Sequence, residues 1–443
     1  MTQKNSNRVV LCAYAVAWIF GGGQLHGADG SGIERQLREL QQQNQALQEQ
    51  LREQRSLIES LSRKVNDIQD ANTQRSSTEH LEANDAGTIS KSPAALSLGK
   101  VNISGEGGVA FFHTGSEGMF PNAEFRVDEA KLFVEAPIWG NVYFFGELNL
   151  MTRESPDLDL RLGELYVDVE NVSQLWNRDR MLNLRLGRMY IPFGEEYLSR
   201  YAIDNPLISH SLSDIWGVDE GIELYGKLGA FSYAVAVQNG GAEGVRDYSR
   251  DKSVAGRIGF DPTSWLHLSV SGMRTGDLKP PGDYWSELWF ANGWFVPFGS
   301  VNTTEYHANL LEGDLELRLP HGHIKAFGGY ARYDDNDPMA NNRRDIYFYS
   351  IEGVHELTRK LYAGVRFSHV LADKGYPIVG HGDPDDYLFS LTEQLWRLSL
   401  GLGYRWNRNF VTKAEYSFER GKELGGERRS SEDLFALEAA FRF

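Results

Sequence analysis

From Phe435 onward the chain alternates two kinds of side chain with a period of two. Phe435, Leu437, Ala439, Phe441 and Phe443 fall on one face, and Ala436, Glu438, Ala440 and Arg442 on the other. Successive side chains of a β-strand point to opposite faces, so this segment reads as a strand with one greasy and one wetter side. The rhythm recurs upstream. Trp396, Leu398, Leu400, Leu402, Tyr404 and Trp406 alternate with Arg397, Ser399, Gly401, Gly403 and Arg405. Leu311, Leu315, Leu317 and Leu319 run against Glu312, Asp314, Glu316 and Arg318. Phasing the whole region from residue 99 to residue 443 predicts sixteen strands of about ten residues, the length that tilted strands need to cross a bilayer.

The connections between these strands are unequal. Those after even-numbered strands are mostly tight, as at Asp261-Pro262-Thr263, Pro320-His321-Gly322 and Asn407-Arg408. Those after odd-numbered strands are mostly long: 191–218, 240–251, 276–307, 371–393 and 420–431. Short turns on one rim and long loops on the other are expected of a transmembrane β-barrel, and a soluble sheet protein has no reason to segregate them. An even strand count puts both ends of the barrel on the short-turn rim. The charged fraction of 24% does not oppose this reading, because barrel strands are only half apolar. Forty-six glycines and 12% aromatics suit closely packed strands with aromatic girdles. A net charge of −16 argues against nucleic acid as a partner.

Residues 1–28 read as a secretory signal: Lys4 and Arg8 are basic, Val9 to Phe20 is an apolar run too short to span a bilayer, and small residues follow at Gly27 and Ala28. The only cysteine, Cys12, lies inside it, so the processed chain is expected to have no disulfide and no thiol chemistry. Residues 29–70 carry a heptad seam from Ile33 to Ile68 through Leu37, Leu40, Asn44, Leu47 and Leu51, the pattern of an α-helical coiled coil. Residues 71–98 read as a flexible linker. The fold expected is therefore all-β, a 16-stranded antiparallel transmembrane barrel preceded by a signal peptide and a periplasmic coiled coil.

Several ordered stretches carry a family resemblance. Leu184-Arg185-Leu186-Gly187-Arg188 leads into Ile191-Pro192-Phe193-Gly194. Trp216-Gly217-Val218-Asp219-Glu220-Gly221, Tyr233-Ala234-Val235-Ala236-Val237-Gln238-Asn239-Gly240, Val254-Ala255-Gly256-Arg257-Ile258 and Lys413-Ala414-Glu415-Tyr416 follow. Together they resemble the phosphate-selective porins O and P, taken broadly, over most of residues 100–443. The C-terminal strand closing on Phe443 resembles that of bacterial outer-membrane barrels. The resemblance implies a trimeric outer-membrane porin, a water-filled channel for small hydrophilic solutes or ions, including anions such as phosphate, with its third long loop folded into the bore. Two alternatives stand beside it: a structural anchor that tethers the membrane to the cell wall through the coil, and a conduit barrel enclosing a partner protein. The partners expected are outer-membrane lipid, two further copies of the chain and a cell-wall or periplasmic partner for the coil.

The constriction expected from loop 191–218 involves Pro192, Phe193, Glu195, Glu196, Arg200, Asp204 and Asp214. Phasing turns Arg161, Arg185, Arg257, Lys325, Arg366, Arg397, Arg405, Lys413 and Arg442 toward the lumen. It also turns Glu147, Glu164, Asp168, Glu223, Glu312, Glu316, Glu352, Glu415 and Glu438 inward, so acids and bases are near balance rather than forming a basic ladder. Loop 276–307 concentrates Tyr284, Trp285, Trp289, Phe290, Trp294, Phe295 and Phe298, which can stack on a flat ligand, pack on each other over the mouth or touch a neighbouring subunit. No enzymatic motif is legible, and His321-Gly322-His323 lacks the further ligands a metal needs, so neither catalysis, cofactor nor metal is expected.

Overall fold

A computed structural model describes residues 96–98, 100–151, 160–241, 246–280, 282–298 and 302–443. The expected signal peptide and coiled coil lie outside the described residues, as does nearly all of the linker.

Sixteen barrel strands are present: β1 (Val101–Thr114), β2 (Glu124–Trp139), β3 (Val142–Met151), β4 (Arg161–Val169), β5 (Asn183–Tyr190), β6 (Trp216–Leu228), β7 (Phe231–Gln238), β8 (Ser253–Thr263), β9 (Leu266–Arg274), β10 (Tyr306–Leu319), β11 (Gly322–Asp335), β12 (Arg344–Glu356), β13 (Leu361–Tyr376), β14 (Thr392–Asn407), β15 (Phe410–Glu423) and β16 (Leu434–Arg442). Each pairs antiparallel with its sequence neighbour, and β16 closes the sheet on β1 with Gly107 opposite Phe441 and Glu106 opposite Arg442. Phe443 extends the seam, exchanging backbone hydrogen bonds of 2.9 and 3.1 Å with Gly105. Closure leaves no sheet edge in lipid, which the hydrocarbon core would not tolerate.

Burial is inverted relative to a soluble protein. Val270, Ile351 and Leu402 are about half exposed, at 49%, 53% and 52%, whereas Glu147, Arg397 and Glu415 are 1%, 2% and 2% exposed. Apolar side chains cover the outside because lipid is their solvent, and charges turn into the bore. One register detail matters for the site. A bulge between Gly146 and Leu148 in the β3–β4 ladder resets the alternation. Arg161 and Glu164, three residues apart, therefore both reach the interior, while Leu162 and Leu165 stay outside.

The rim of tight turns runs through residues 140–141, 229–230, 264–265, 320–321, 357–360 and 408–409. The exception is 170–182, where a 3₁₀ turn, Val172–Trp176, is bracketed by left-handed Asn171 and Asn177. It folds back on its own sheet: the Asn183 side chain accepts from the Asn171 amide at 2.7 Å, and the Tyr233 hydroxyl donates to the Met181 carbonyl at 2.8 Å. On the opposite rim, the connections after β5 (191–215), β9 (275–305) and β13 (377–391), here L3, L5 and L7, contribute buried side chains to the interior.

Candidate functional site: the crossed interior of the barrel

L3 leaves β5 through Ile191-Pro192-Phe193-Gly194. Pro192 and Phe193 are buried at its root, and Phe193 packs into an interior apolar cluster rather than facing a water path. Gly194 has φ of +67°, and a Cβ there would lie 2.4 Å from Glu312 Oε1, so the turn into the bore requires glycine.

The loop then lies against the β13–β16 wall, and the inward cations hold it there. Lys413 Nζ donates to the carbonyls of Ala202, Asn205 and Leu207 at 2.6, 3.3 and 3.0 Å, and pairs with Glu438. Arg366 donates to the Ser209 carbonyl at 2.7 Å, to Asn205 Oδ1 at 2.9 Å and to Glu352 at 2.9 Å. Arg397 donates to the His210 carbonyl at 3.1 Å and to Glu419 at 2.5 Å. Glu415 accepts the amides of Ile208 and Ser209 at 2.5 and 2.9 Å. Leu207 seats on glycines of the wall: a Cβ at Gly401 would come within 2.4 Å of it, and one at Gly364 within 3.2 Å. Three of the predicted lumen cations, Arg366, Arg397 and Lys413, thus point inward but serve as struts beneath L3.

The other predicted residues divide by environment. Arg185 bridges Glu223 at 3.1 Å and Asp168 at 3.3 Å, and stacks over Tyr166. Arg257 donates to the Gly194 carbonyl at 2.5 Å and to the Tyr197 hydroxyl at 3.1 Å, while Lys325 reaches Ser199 at 3.4 Å. Arg405 and Glu316 lie toward the tight-turn rim, paired with Glu356 at 3.3 Å and Arg318 at 2.9 Å. Within L3, Glu195 meets His267 at 2.8 Å, Glu196 accepts from Ser211 at 2.8 and 2.6 Å, and Asp204 pairs with Arg442 of β16. Arg200 grips Asp214 at 3.2 and 2.9 Å and stacks over the Trp216 ring at 4.2 Å. Burial by itself would raise the Asp214 carboxyl, but Arg200 and His210 beside it hold it well below the usual carboxylate range.

L5 is the element whose placement the sequence left open. Its Leu288–Phe290 segment adds a short antiparallel strand to β6, with Trp289 opposite Trp216. Phe290 and Phe295 are fully buried and stack at 5.1 Å, and Tyr376 lies 5.9 and 5.7 Å from them. With Ile191, Phe193, Leu212 and Ile215 of L3 and inward residues of β8–β14, they form a dry core inside the barrel. The opposite side stays polar. A cavity of about 100 Å³ lies between β2–β6, L3 and L5, lined by Lys131, Glu147, Arg161, Arg200, Glu287 and Trp289 among others. Burial, with Asp219 nearby, pushes the Glu287 carboxyl well above its usual value. Sequence reasoning missed Glu287, Trp216 and Glu129 as part of this setting. Alternation cannot show which loop residues turn into a bore.

Comparison with known proteins places the fold. A loop-L8 deletion mutant of OmpT, an outer membrane protein of Vibrio cholerae, superposes with a TM-score of 0.51 at 14% identity, covering 77% of this chain and 99% of that one. Outer-membrane expressed OmpT of the same organism gives 0.51 at 12% identity, over 79% and 100% of the two chains. The outer membrane channel DcaP of Acinetobacter baumannii gives 0.49 at 11% identity, over 77% and 97%. No protein-family model matches the chain, and no curated protein matches it significantly. The class is the closed, 16-stranded antiparallel β-barrel found in outer-membrane proteins.

Proposed function

We propose that the chain is an outer-membrane channel through which small hydrophilic solutes diffuse, related to the phosphate-selective porins O and P. The observation that carries this is a sealed barrel whose charged interior is crossed by a loop tied to both walls. L3 binds β13–β15 through Arg366, Arg397 and Lys413, and β8 and β9 through Arg257 and His267. Such a loop narrows a bore that sixteen strands alone would leave wide. Arg161, Arg185 and Arg257, with Glu223, Glu195 and Asp204, are the charges we assign to the solute path. With six of the nine inward-phased cations, Arg257, Lys325, Arg366, Arg397, Lys413 and Arg442, engaged by L3, the path is less basic than phosphate selectivity demands, and passage of both ion signs is the reading we favour. One neighbouring structure is described as a trimer form, and a homotrimer is proposed for this chain too. The signal peptide, the periplasmic coil at 29–70 and its wall-directed partner belong to the same proposal. Single-channel recording after reconstitution tests it: discrete conductance steps support a channel, and a silent bilayer rejects it. A second reading, a sealed anchor, is favoured by the dry core of L3, L5 and β8–β14. Deleting residues 33–68 separates the two, because an anchor loses envelope attachment with permeability unchanged.

A further inference from the structure

The connection 170–182 departs from the rest of its rim in a way that conduction does not explain. The other turns there are two to four residues long, whereas this one carries a 3₁₀ turn whose tip holds Leu175 at 85% and Trp176 at 52% exposure. Its backbone is nevertheless tied down. The Asn171 side chain accepts the Arg180 amide at 2.8 Å and donates to Asp179 at 2.9 Å. The Ser173 side chain is fully buried, and its hydroxyl accepts the Met181 amide at 3.0 Å. A tied hairpin that presents two adjacent large apolar side chains gains nothing from water, and such a patch marks a contact surface.

The position of the hairpin narrows the partner. Ile222 and Leu224 of β6 and Val235 and Val237 of β7 face outward, and alternation puts Gly226 and Tyr233 in the same outward rows. The Met181 carbonyl lies over them: it accepts the Tyr233 hydroxyl, and a Cβ on Gly226 would collide with it. The base of the hairpin therefore sits on the lipid side of the wall, not over the bore. Trp139, Trp265 and Trp406, all exposed, lie at or beside tight turns of this rim. Tryptophans gather in this way where hydrocarbon meets water, and Trp176 adds a further one between Trp139 and Trp265. Arg178 and Arg180 flank the tip, exposed and without an acidic partner among the described residues, while Asp179 between them is engaged by Asn171. Guanidinium groups beside an apolar tip at that depth match lipid phosphates. We propose that 170–182 is a membrane foot. Leu175 and Trp176 enter the boundary between acyl chains and headgroups of the leaflet at the tight-turn rim, and Arg178 and Arg180 bind phosphate headgroups there. The proposal needs the barrel to span a membrane but not to conduct.

The test uses the full chain with Cys12→Ser and Gln174→Cys, a nitroxide on the new thiol, in vesicles of phosphatidylcholine and phosphatidylglycerol. The label should collide more with oxygen, which partitions into lipid, than with aqueous nickel, and its spectrum should be dominated by a slow, seated component. The ratio of seated to free label should fall about fivefold for each of R178Q and R180Q at low salt, the effect of one basic residue at an anionic surface. R178K and R180K should restore most of it, and W176S should free the label as the glutamine variants do. A label as open to nickel as one in bulk water overturns the foot, and so does a ratio indifferent to W176S and to both glutamine variants. A label shut off from oxygen and nickel alike also overturns it, because protein, a neighbouring subunit or a periplasmic partner, then covers the tip. A barrel that passes no current while the label stays seated sinks the channel reading alone, whereas a free label on a conducting barrel sinks the foot alone.

Discussion

The two sides of the barrel interior are built from the same kind of strand and filled in opposite ways. Facing L3 and L5, β8–β14 present Ala308, Ala331, Tyr333, Ile346, Phe348 and Val370, each 0–1% exposed, and bury them against Phe290 and Phe295. Across the bore, β2–β4 present Lys131, Glu147 and Glu164, which are 1–8% exposed but ionisable. The dry side is an ordinary hydrophobic core that happens to sit inside a barrel. Its stability comes from burial at about 25 cal/mol per Å². The polar side is held by ion pairs, whose attraction must offset the cost of taking charges out of water. The loops therefore dock through apolar side chains on one side, while on the other L3 meets β2 through polar contacts such as Ala202 with Glu129, beside the polar cavity.

The sharpest way to break this asymmetry is to cut a strut. Arg366→Ala leaves Glu352, 6% exposed, without its guanidinium and strips partners from Asn205 and Ser209. Removing one member of a buried pair costs about 3–5 kcal/mol. A large fall in the thermal unfolding midpoint is expected, with noisier and larger conductance as L3 comes free. An unchanged midpoint with unchanged current would show that L3 is not held through this wall. Next in size is Phe290→Ala on the dry side, which empties a fully buried site at about 3 kcal/mol. Here stability should fall while the ratio of anion to cation permeability stays as it was, because no charge on the path has moved. A clear change in that ratio would mean the dry core borders the ion path.

How these two sides could be told apart from sequence differs element by element. Period-two alternation located every barrel strand, and loop lengths placed the rims, because lipid outside and a sealed seam impose both. Inward phasing singled out Arg366 and Lys413, which hydrogen-bond L3. It could not show that a loop lies over them, since an arginine facing water and one facing a loop carbonyl look alike in a strand. Likewise the Phe193 of the L3 root reads as a loop aromatic, and only the buried cluster it shares with Leu288 and Phe295 of L5, a hundred residues on, makes it core. The aromatic run at 284–298 signalled that L5 packs against something. Its partners, Tyr333, Phe348 and Tyr376, come from strands distant in sequence. The glycines that seat Leu207 carry no local signal at all, because Gly401 occupies an inward position where any small residue fits the alternation.

On the charged side the effects are smaller and read through ions. Arg161 is exposed at the edge of the cavity and lies inward of the β3–β4 bulge. Arg161→Glu should move the reversal potential in a salt gradient toward cation preference, by up to about fivefold in permeability ratio. That is the change that ~1 kcal/mol of Coulomb energy in water provides. The same reversal made at Arg405, which is paired with Glu356 at the tight-turn rim, should do less. If Arg405→Glu shifts the potential more than Arg161→Glu, the narrow part of the path lies at the wrong end of the barrel for L3 to define it.

The smallest effect under ordinary conditions concerns Asp214, which joins the two sides by fixing Arg200 over Trp216. Its carboxyl is held well below the usual range, so in the folded chain it stays ionised at pH values where the unfolded chain has already taken up a proton. A depressed carboxylate contributes stability that is fully present above its unfolded value, about 3.9, and is lost as pH falls through the lower folded value. The thermal midpoint of the native chain minus that of Asp214→Asn should therefore stay constant from pH 7 down to about 4 and shrink only below that. Tryptophan emission should follow the same course as the guanidinium leaves the Trp216 ring. A difference that already shrinks between pH 7 and pH 5 would place the control of this stability at a group other than the Asp214 carboxyl.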